Sequence, residues 1–327
     1  MKRRDFLKTA AVTTAALGLK NALPQAEDVQ TEEDTASSNR ASLPRREYGK
    51  TGVKLSIIGF GGFMLDDTEQ QFANRVVAAA VERGVNYFDV APSYGNAEVQ
   101  LGPALEPYRK NAFLACKTRE RQREGAEAEL RRSLERLRTD HLDLYQLHSI
   151  SDVERDVDAA FAKGGAMEVL IQAKKEGRVR FLGFSAHSVE AALAAMDRYD
   201  FDSAMFAVNF ACYYKGNFGR QIIEMAKSKG VARIALKVLA RQRWPRNDPQ
   251  REEYRRCWYQ PITDPREAEL SMKFTLSQPV TAAIPPADAR FFPQGLELGM
   301  NFKPITPEEE EELRALAAKL NPVFRTT

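Results

Sequence analysis

The chain has 327 residues, which suits one α/β barrel of about 250 residues or two ordinary domains. Hydrophobic residues make up 43% of it and charged residues 28%, so a full globular core is available and a disordered chain is not indicated. The formal net charge of +3 is too small to indicate a nucleic-acid partner, and three cysteines are too few for a disulfide framework.

Residues 1–26 have the composition of an export signal. Five basic residues stand there against one acid, so this segment alone carries a net charge of +4. The paired Arg3 and Arg4, a Phe-Leu-Lys run and a mildly apolar stretch over residues 9–19 are typical of a twin-arginine signal. We therefore expect the protein to pass through the twin-arginine export machinery into the periplasm.

The apolar stretch of this segment, with about ten weakly hydrophobic residues, is too short to span a bilayer. No clean Ala-x-Ala cleavage site stands between Leu19 and Glu27, so retention of the segment as an N-terminal membrane anchor stays open. Residues 27–42 are rich in Glu, Asp, Thr, Ser and Asn and almost lack large apolar side chains, which predicts a disordered linker. Folded sequence is expected over residues 43–327.

The folded part alternates short apolar runs with longer amphipathic segments. Residues 45–56 alternate around a Lys-Thr-Gly turn and predict a β-hairpin. The predicted strands cover residues 57–61, 86–90, 112–117, 142–147, 179–185, 203–209, 233–238 and 281–284. The predicted helices cover residues 69–83, 97–107, 120–137, 154–176, 188–198, 218–229, 264–277 and 307–320. Because each crossover between parallel strands needs a helix, this alternation predicts a (β/α)8 TIM barrel.

Four polar side chains follow three successive predicted strands. Asp89 ends one strand and Tyr94 lies five residues later on its loop, while Lys117 and His148 end the next two strands. Barrel enzymes place their chemistry at the carboxyl ends of their strands. A tyrosine with a pKa of about 10 donates a proton poorly unless its phenolate is stabilised, and a lysine held by an aspartate supplies that stabilisation. The four residues predict a proton-transfer set.

At these positions the sequence resembles the aldo-keto reductases. The matching segments are Gly59-Phe60-Gly61-Gly62, Phe88-Asp89-Val90-Ala91-Pro92-Ser93-Tyr94-Gly95, Lys117, Asp140-His141-Leu142-Asp143-Leu144-Tyr145-Gln146-Leu147-His148 and Gly183-Phe184-Ser185. The resemblance implies that the N-terminal hairpin closes the bottom of the barrel. It also implies that Tyr94 is the general acid, that Lys117 lowers its pKa, that Asp89 pairs with Lys117 and that His148 orients a carbonyl.

The resemblance further implies a nicotinamide cofactor, NADP(H) or alternatively NAD(H), and a small carbonyl or alcohol substrate. The residues expected to bind the cofactor are Gly61, Ser185, Asn209, Lys237, Leu239, Arg241 and Arg290. The residues expected to line the substrate pocket are Phe63, Met64, Trp244 and Trp258. His187 is expected either in the pocket or on its rim. The irregular segment 239–263, rich in arginine and aromatic residues, is expected to act as a lid.

Three features depart from the family pattern. Met205 stands near an expected glutamine, and Leu236 stands where an aromatic residue usually stacks under nicotinamide. The segment Pro285-Pro286-Ala287-Asp288-Ala289-Arg290 replaces the one that usually grips the adenosine phosphate. Asp288 opposes Arg290, which leaves the choice between NADP and NAD open.

Two other functional classes fit the sequence less well than a reductase does. A catalytically idle nicotinamide-binding sensor or accessory subunit would need no proton-transfer residues, yet all four are present. A metal-dependent hydrolase on the same barrel is disfavoured because none of the three histidines has metal-ligand spacing.

Overall fold

The computed structural model describes residues 42–326 of the chain. The predicted signal, its possible retention as an anchor and nearly all of the predicted linker lie outside these residues. Within residues 42–326, every helix falls short of the length and apolar character that a bilayer crossing requires.

The regular elements of residues 42–326 alternate along the chain. The strands are β1 (Arg45–Glu47), β2 (Lys54–Ser56), β3 (Phe60–Gly61), β4 (Tyr87–Asp89), β5 (Phe113–Thr118), β6 (Leu142–Ile150), β7 (Val179–Ala186), β8 (Ser203–Ala207), β9 (Ala232–Leu236), β10 (Ala240–Gln242), β11 (Gln260–Pro261) and β12 (Ala282–Ala283). The helices are α1 (Gln70–Glu82), α2 (Ala97–Leu105), α3 (Arg123–Arg136), α4 (Ala159–Phe161), α5 (Ala166–Lys175), α6 (Val189–Arg198), α7 (Phe210–Tyr214), α8 (Arg220–Ser228), α9 (Gln250–Glu253), α10 (Pro265–Ser277), α11 (Phe291–Met300) and α12 (Pro307–Lys319). Helical turns of other types cover Gly62–Leu65, Glu106–Asn111 and Val153–Asp158.

A closed parallel barrel forms the centre of the described residues. Strands β3 to β9 pair in chain order, and β12 pairs with β9. A parallel bridge between Ile58 and Ala283 joins the first strand to the last, and the Gly59 amide donates to the Ala283 carbonyl at 2.9 Å. The predicted (β/α)8 barrel is therefore confirmed.

The N-terminal hairpin of β1 and β2 closes the amino end of the barrel. Arg46 pairs with Leu55 in its antiparallel register. Tyr48, in the turn, is fully buried and its ring meets that of Phe113 edge-on, with centroids 5.0 Å apart. Together with Leu144 and Met205, these side chains fill the barrel interior, so it is a packed core and not a pore.

Two predicted helices differ from the structure. The single helix predicted over residues 154–176 is interrupted between α4 and α5, where Gly164 has a φ of +76° and a Cβ on Gly165 would lie 2.3 Å from the Ala160 carbonyl oxygen. The predicted eighth helix is found as α12, but α11 precedes it directly after β12. The sequence did not predict α11 because Pro293 and Gly295 are poor helix formers.

Candidate active site

The carboxyl ends of the barrel strands surround a cavity of about 280 Å³. Parallel pairing places Gly61 level with Asp89, and Asp89 level with Ala115, two residues before Lys117. Of the predicted site residues, those that line the cavity are Gly61, Phe63, Asp89, Tyr94, Lys117, His148, Ser185, Lys237 and Trp258. Residues from distant parts of the sequence therefore meet at one face of the barrel.

A buried ion pair lies at the floor of this cavity. Lys117 is 1% exposed and Asp89 is 3% exposed. The Lys117 Nζ donates to Asp89 Oδ1 and also to the Tyr94 hydroxyl at 3.3 Å. A third bond runs to the Val90 carbonyl at 3.2 Å. The ammonium therefore touches both the carboxylate and the phenol.

The second oxygen of Asp89 is held by two other side chains. Gln146 Nε2 donates to it at 3.2 Å, and the Tyr87 hydroxyl donates to it at 3.3 Å. Burial raises the pKa of Asp89, and the ammonium of Lys117 opposes this effect. Burial lowers the pKa of Lys117 and is the largest single effect, but the charges of Asp89 and Tyr94 and the hydrogen bond to Asp89 together exceed it, so the net pKa is raised. Lys117 therefore stays an ammonium ion.

The pKa of Tyr94 is set by two opposing effects. Burial raises it above its ordinary value, and Lys117 lowers it only in opposition to that larger effect. The influence expected of Lys117 is therefore present, and the burial that exceeds it depends on the tertiary structure around the phenol. Tyr94 is therefore a protonated phenol at neutral pH, which is the form that can donate a proton.

His148 faces Tyr94 across the cavity. The two ring centroids are 5.7 Å apart, and His148 Nδ1 lies 3.4 Å from the Ser93 hydroxyl. Burial, followed by the charges of Lys117 and Arg119, lowers the pKa of His148 to about 2. The imidazole is therefore neutral and can offer a hydrogen bond but no charge.

The predicted substrate-pocket residues divide into two groups. Phe63 meets the Tyr94 ring edge-on at 5.1 Å and Trp258 is 52% exposed at the cavity mouth. Met64 instead belongs to the buried core between strands and helices. Trp244 lies outside the cavity lining and donates its indole N–H to the Cys257 carbonyl at 2.7 Å.

Two predicted cofactor contacts lie behind the cavity wall. Asn209 is 1% exposed, and its side-chain oxygen accepts from the amides of Ala211 and Cys212 while its nitrogen donates to the carbonyls of Lys237 and Ala240. These four bonds use the full capacity of the amide, which holds the loop after β9 in place. Leu239 is fully buried in the core.

The two predicted arginines are paired with acids outside the cavity lining. Arg241 Nε lies 3.0 Å and 3.1 Å from the carboxylate oxygens of Glu267. Arg290 bonds to Asp288 at 2.7 Å and to Glu253 at 3.1 Å. Both guanidinium groups thus bond to carboxylates of the protein. Glu267 and Glu253 lie far from their arginines in sequence, whereas Asp288 lies two residues before Arg290.

Some cavity residues were not assigned to the site from the sequence. Ser93, Arg119 and Ser149 line it, and each lies one or two residues from a predicted catalytic residue, which was the available signal. His187 lines the cavity as well, and Ser185 Oγ accepts from the Ser149 amide at 2.7 Å. The positive residues of the lining are Lys117, Arg119, Lys237 and Arg256, and its one carboxylate is Asp89.

The model of the Aldo/keto reductase family matches residues 57–258, more than half of the chain. The chain belongs to the aldo-keto reductase family. The matched region contains the whole set of Asp89, Tyr94, Lys117 and His148. The model of the twin-arginine translocation signal matches residues 1–20, which confirms the predicted export signal.

Similar proteins include oxidoreductases of bacteria and plants. The oxidoreductase YqkF of Bacillus subtilis is 31% identical over 158 residues, which are 44% of this aldo-keto reductase and 49% of that protein. L-galactose dehydrogenase of Arabidopsis thaliana is 29% identical over 213 residues, 60% of this chain and 65% of that protein. The matches thus span about half to two thirds of these relatives.

A solved aldo-keto reductase from Bacillus halodurans, in its holo form, superposes with a TM-score of 0.66. The superposition covers 84% of this chain and 96% of that one at 22% identity. At that identity the likeness supports the fold alone.

Proposed function

We propose that this aldo-keto reductase interconverts a carbonyl (an aldehyde, a ketone or a sugar) and an alcohol, with Tyr94 as the general acid and base. The observation that carries the proposal is the contact of one buried ammonium, Lys117, with both Asp89 and the Tyr94 hydroxyl in a cavity that also contains His148. A protein that only binds a nucleotide does not need this arrangement.

The residues of the cavity fit a nicotinamide dinucleotide. Ser185 Oγ accepts one bond from the Ser149 amide, so its own proton remains to donate to a carboxamide. The positive lining residues suit a diphosphate, since basic side chains around one buried carboxylate give the cavity an excess of positive charge. When bound, the cofactor supplies or accepts the hydride.

The preferred nucleotide is proposed to be NADP(H), as the family resemblance implies. One observation favours NAD(H) as a second candidate. Arg290, the expected partner of a 2′-phosphate, already bonds to Asp288 and Glu253. Titrating the protein with both reduced nucleotides decides between them. A tenfold difference in affinity corresponds to about 1.4 kcal/mol of binding free energy.

The protein side of the reduction follows from the contacts of the site. The neutral imidazole of His148 and the hydroxyl of Tyr94 donate hydrogen bonds to the carbonyl oxygen and orient it. As negative charge grows on that oxygen, Tyr94 gives up its proton to it. The ammonium of Lys117 stabilises the phenolate that remains, and Asp89 keeps the ammonium in place. In the oxidation of an alcohol, the same groups act in reverse.

The Tyr94→Phe variant tests this role. It keeps the ring that packs against Phe63, so it should fold and bind nucleotide while carbonyl turnover falls by about a thousandfold, as expected when a general acid is lost. Oxidation of reduced nucleotide, followed by its absorbance with a panel of aldehydes, ketones and quinones, measures the change. Tyr199→Phe, on a surface helix end, is the matched control and should keep full activity. Wild-type rates in Tyr94→Phe would refute the assignment.

We further propose that the mature protein works in the periplasm. The twin-arginine pathway is understood to carry folded proteins, so a cytoplasmic cofactor can be bound before export. The signal match at residues 1–20 supports this route.

A further inference from the structure

Lys237 has an unusual position at the mouth of the barrel. It directly follows β9 and lines the same cavity as Tyr94 and His148. Its φ of +66° is in the left-handed region, which residues with side chains rarely adopt. Asn209 Nδ2 donates to its carbonyl at 3.1 Å, and the Ala240 amide donates to the same oxygen at 2.9 Å. The protein thus holds a strained backbone to direct this residue into the cavity.

The ammonium of Lys237 lies between two aromatic rings. Its Nζ is 5.0 Å from the ring centroids of both Trp258 and Tyr259. Such contacts attract a cation but leave its N–H groups without acceptors. Within residues 42–326, no carboxylate forms an ion pair with this ammonium; the one acid that lines the cavity, Asp89, is bound to Lys117.

The other titratable groups around Lys237 carry no negative charge at neutral pH. Burial raises the pKa of the Cys212 and Cys257 thiols to about 11. Burial, with Lys237 and Arg119 adding to it, lowers the pKa of His187 to about 4. Burial lowers the pKa of Lys237 itself to about 8, so at pH 7 it is mostly charged. Lys237 is only partly buried, but a charge that is partly removed from water and has no partner still costs free energy, and an anionic ligand would reduce that cost.

We propose that Lys237 recognises the acidic group, a carboxylate or a phosphate, of a small carbonyl substrate whose carbonyl lies at Tyr94 and His148. The inference rests on the proposed function and narrows its substrate class to acidic aldehydes and ketones. Trp258 and Tyr259 would fix the ammonium, which then donates charge-assisted hydrogen bonds to the anion.

The location of Lys237 favours a substrate anion over the diphosphate of the cofactor. Lys237 lines the same cavity as Tyr94, His148 and His187, next to the residues proposed to act on the carbonyl. The volume of this cavity, about 280 Å³, is enough for one small molecule. Arg119, which also lines the cavity, remains for the diphosphate.

The test compares two probes that differ in charge, 4-carboxybenzaldehyde and its methyl ester, at pH 7. Lys237→Met keeps most of the length of the side chain and removes its ammonium group. We expect kcat/KM for the acid to fall by roughly 10- to 100-fold, mainly through KM, as for a lost hydrogen bond to a charged group. The ester should change by less than about twofold, Lys237→Arg should recover part of the loss, and nucleotide affinity should stay within about twofold. Lys110→Met, an exposed lysine before β5, is the matched control.

A binding measurement gives a readout that does not depend on turnover. Trp258 lies against Lys237, so benzoate should change the tryptophan fluorescence of the wild type, whereas the neutral benzamide should not. The change should disappear in Lys237→Met, and Trp258→Phe assigns the signal to this residue and not to Trp244.

Three results would overturn the inference: equal losses for the acid and the ester, a tenfold weaker nucleotide affinity in Lys237→Met, or fluorescence changes that Lys237→Met retains. Turnover of neither aldehyde by the wild type would count against the proposed function, and the fluorescence titration would still decide the role of Lys237. Thermal unfolding shows whether each variant is folded.

Discussion

Lys117 links the stability of the barrel to its chemistry. Its ammonium is almost completely buried and bonds to Asp89, to the Val90 carbonyl and to the Tyr94 hydroxyl. Burying a charge pair is costly, and removing one partner leaves the other charged and unsatisfied. The pair is therefore expected to add little net stability, and in the proposed function its role is the effect of the ammonium on the phenol.

Lys117→Met should lower the free energy of unfolding by about 3–5 kcal/mol, because Asp89 is left buried without its partner. The double variant Asp89→Asn/Lys117→Met should regain part of that loss, since the buried charge is gone. Neither variant should reduce carbonyls. Urea unfolding monitored by circular dichroism, together with turnover, measures both effects. A single variant as stable as the wild type would show that the ion pair is not buried as described.

The pKa of His148 predicts the pH profile of the reaction. Because burial and nearby cations lower this pKa to about 2, the imidazole stays neutral and does not titrate between pH 5 and 8. Tyr94 must keep its proton to donate it, and its pKa is above the ordinary value. For a neutral carbonyl, kcat/KM for reduction should be flat over this range and fall only in strong alkali. His148→Gln should be slower with the same flat profile. A step near pH 6.5 in the wild type that His148→Gln removes would contradict this.

The segment between β9 and α10 is the element that covers the cavity. Its ends pair through β10 and β11, and the Trp244 indole ties its middle to the Cys257 carbonyl. Arg256 fastens it to the far side of the mouth, donating to the Asp66 carbonyl at 2.5 Å and to the Met64 carbonyl at 3.5 Å. The expected lid is thus anchored on both sides of the cavity.

Arg256→Ala should loosen this segment. Its backbone amides should exchange hydrogen faster, and KM for nucleotide or carbonyl should rise severalfold, because the loop that carries Trp258 and Tyr259 loses its anchor. Hydrogen exchange followed by mass spectrometry, with steady-state kinetics, measures both. Arg255→Ala is the control, since this side chain is 78% exposed and pairs only with Glu252 on the surface. Equal effects of the two substitutions would remove the anchoring role.

At the scale of the whole molecule, closure of the barrel brings its first and last strands side by side. The bridge of Ile58 and Ala283 brings together residues more than two hundred positions apart, so the cavity exists only once the barrel is complete. The cysteines of this region, Cys116, Cys212 and Cys257, are all buried as free thiols. No disulfide within residues 42–326 is needed for the fold, which suits a protein that folds before export.

Substituting both Arg3 and Arg4 by lysine should leave the protein folded and active in the cytoplasm and abolish its export, because the twin-arginine signal is read by the export machinery. Cell fractionation with an activity assay locates the protein. The same substitution at Arg45 and Arg46, in the folded hairpin, serves as the control. Unchanged export of the signal variant would exclude the proposed route.

The sequence by itself determined the order of the eight barrel strands and the convergence of Asp89, Tyr94, Lys117 and His148. This was possible because apolar runs mark strands locally and parallel strands end at one face. The four side chains lie at the strand ends or a few residues after them, so their positions in the barrel had little freedom.

The tertiary structure decided which of the remaining polar residues face the cavity. Asn209, Arg241 and Arg290 have the chemistry of cofactor contacts, but their hydrogen bonds go to Ala240, Glu267 and Asp288. These partners lie within hydrogen-bond distance because of how the loops fold, and no periodicity in the sequence predicts the fold of a loop. Burial likewise raised the pKa of Tyr94, because desolvation depends on every element that surrounds a group. The fold also placed no carboxylate of residues 42–326 in an ion pair with the Lys237 ammonium.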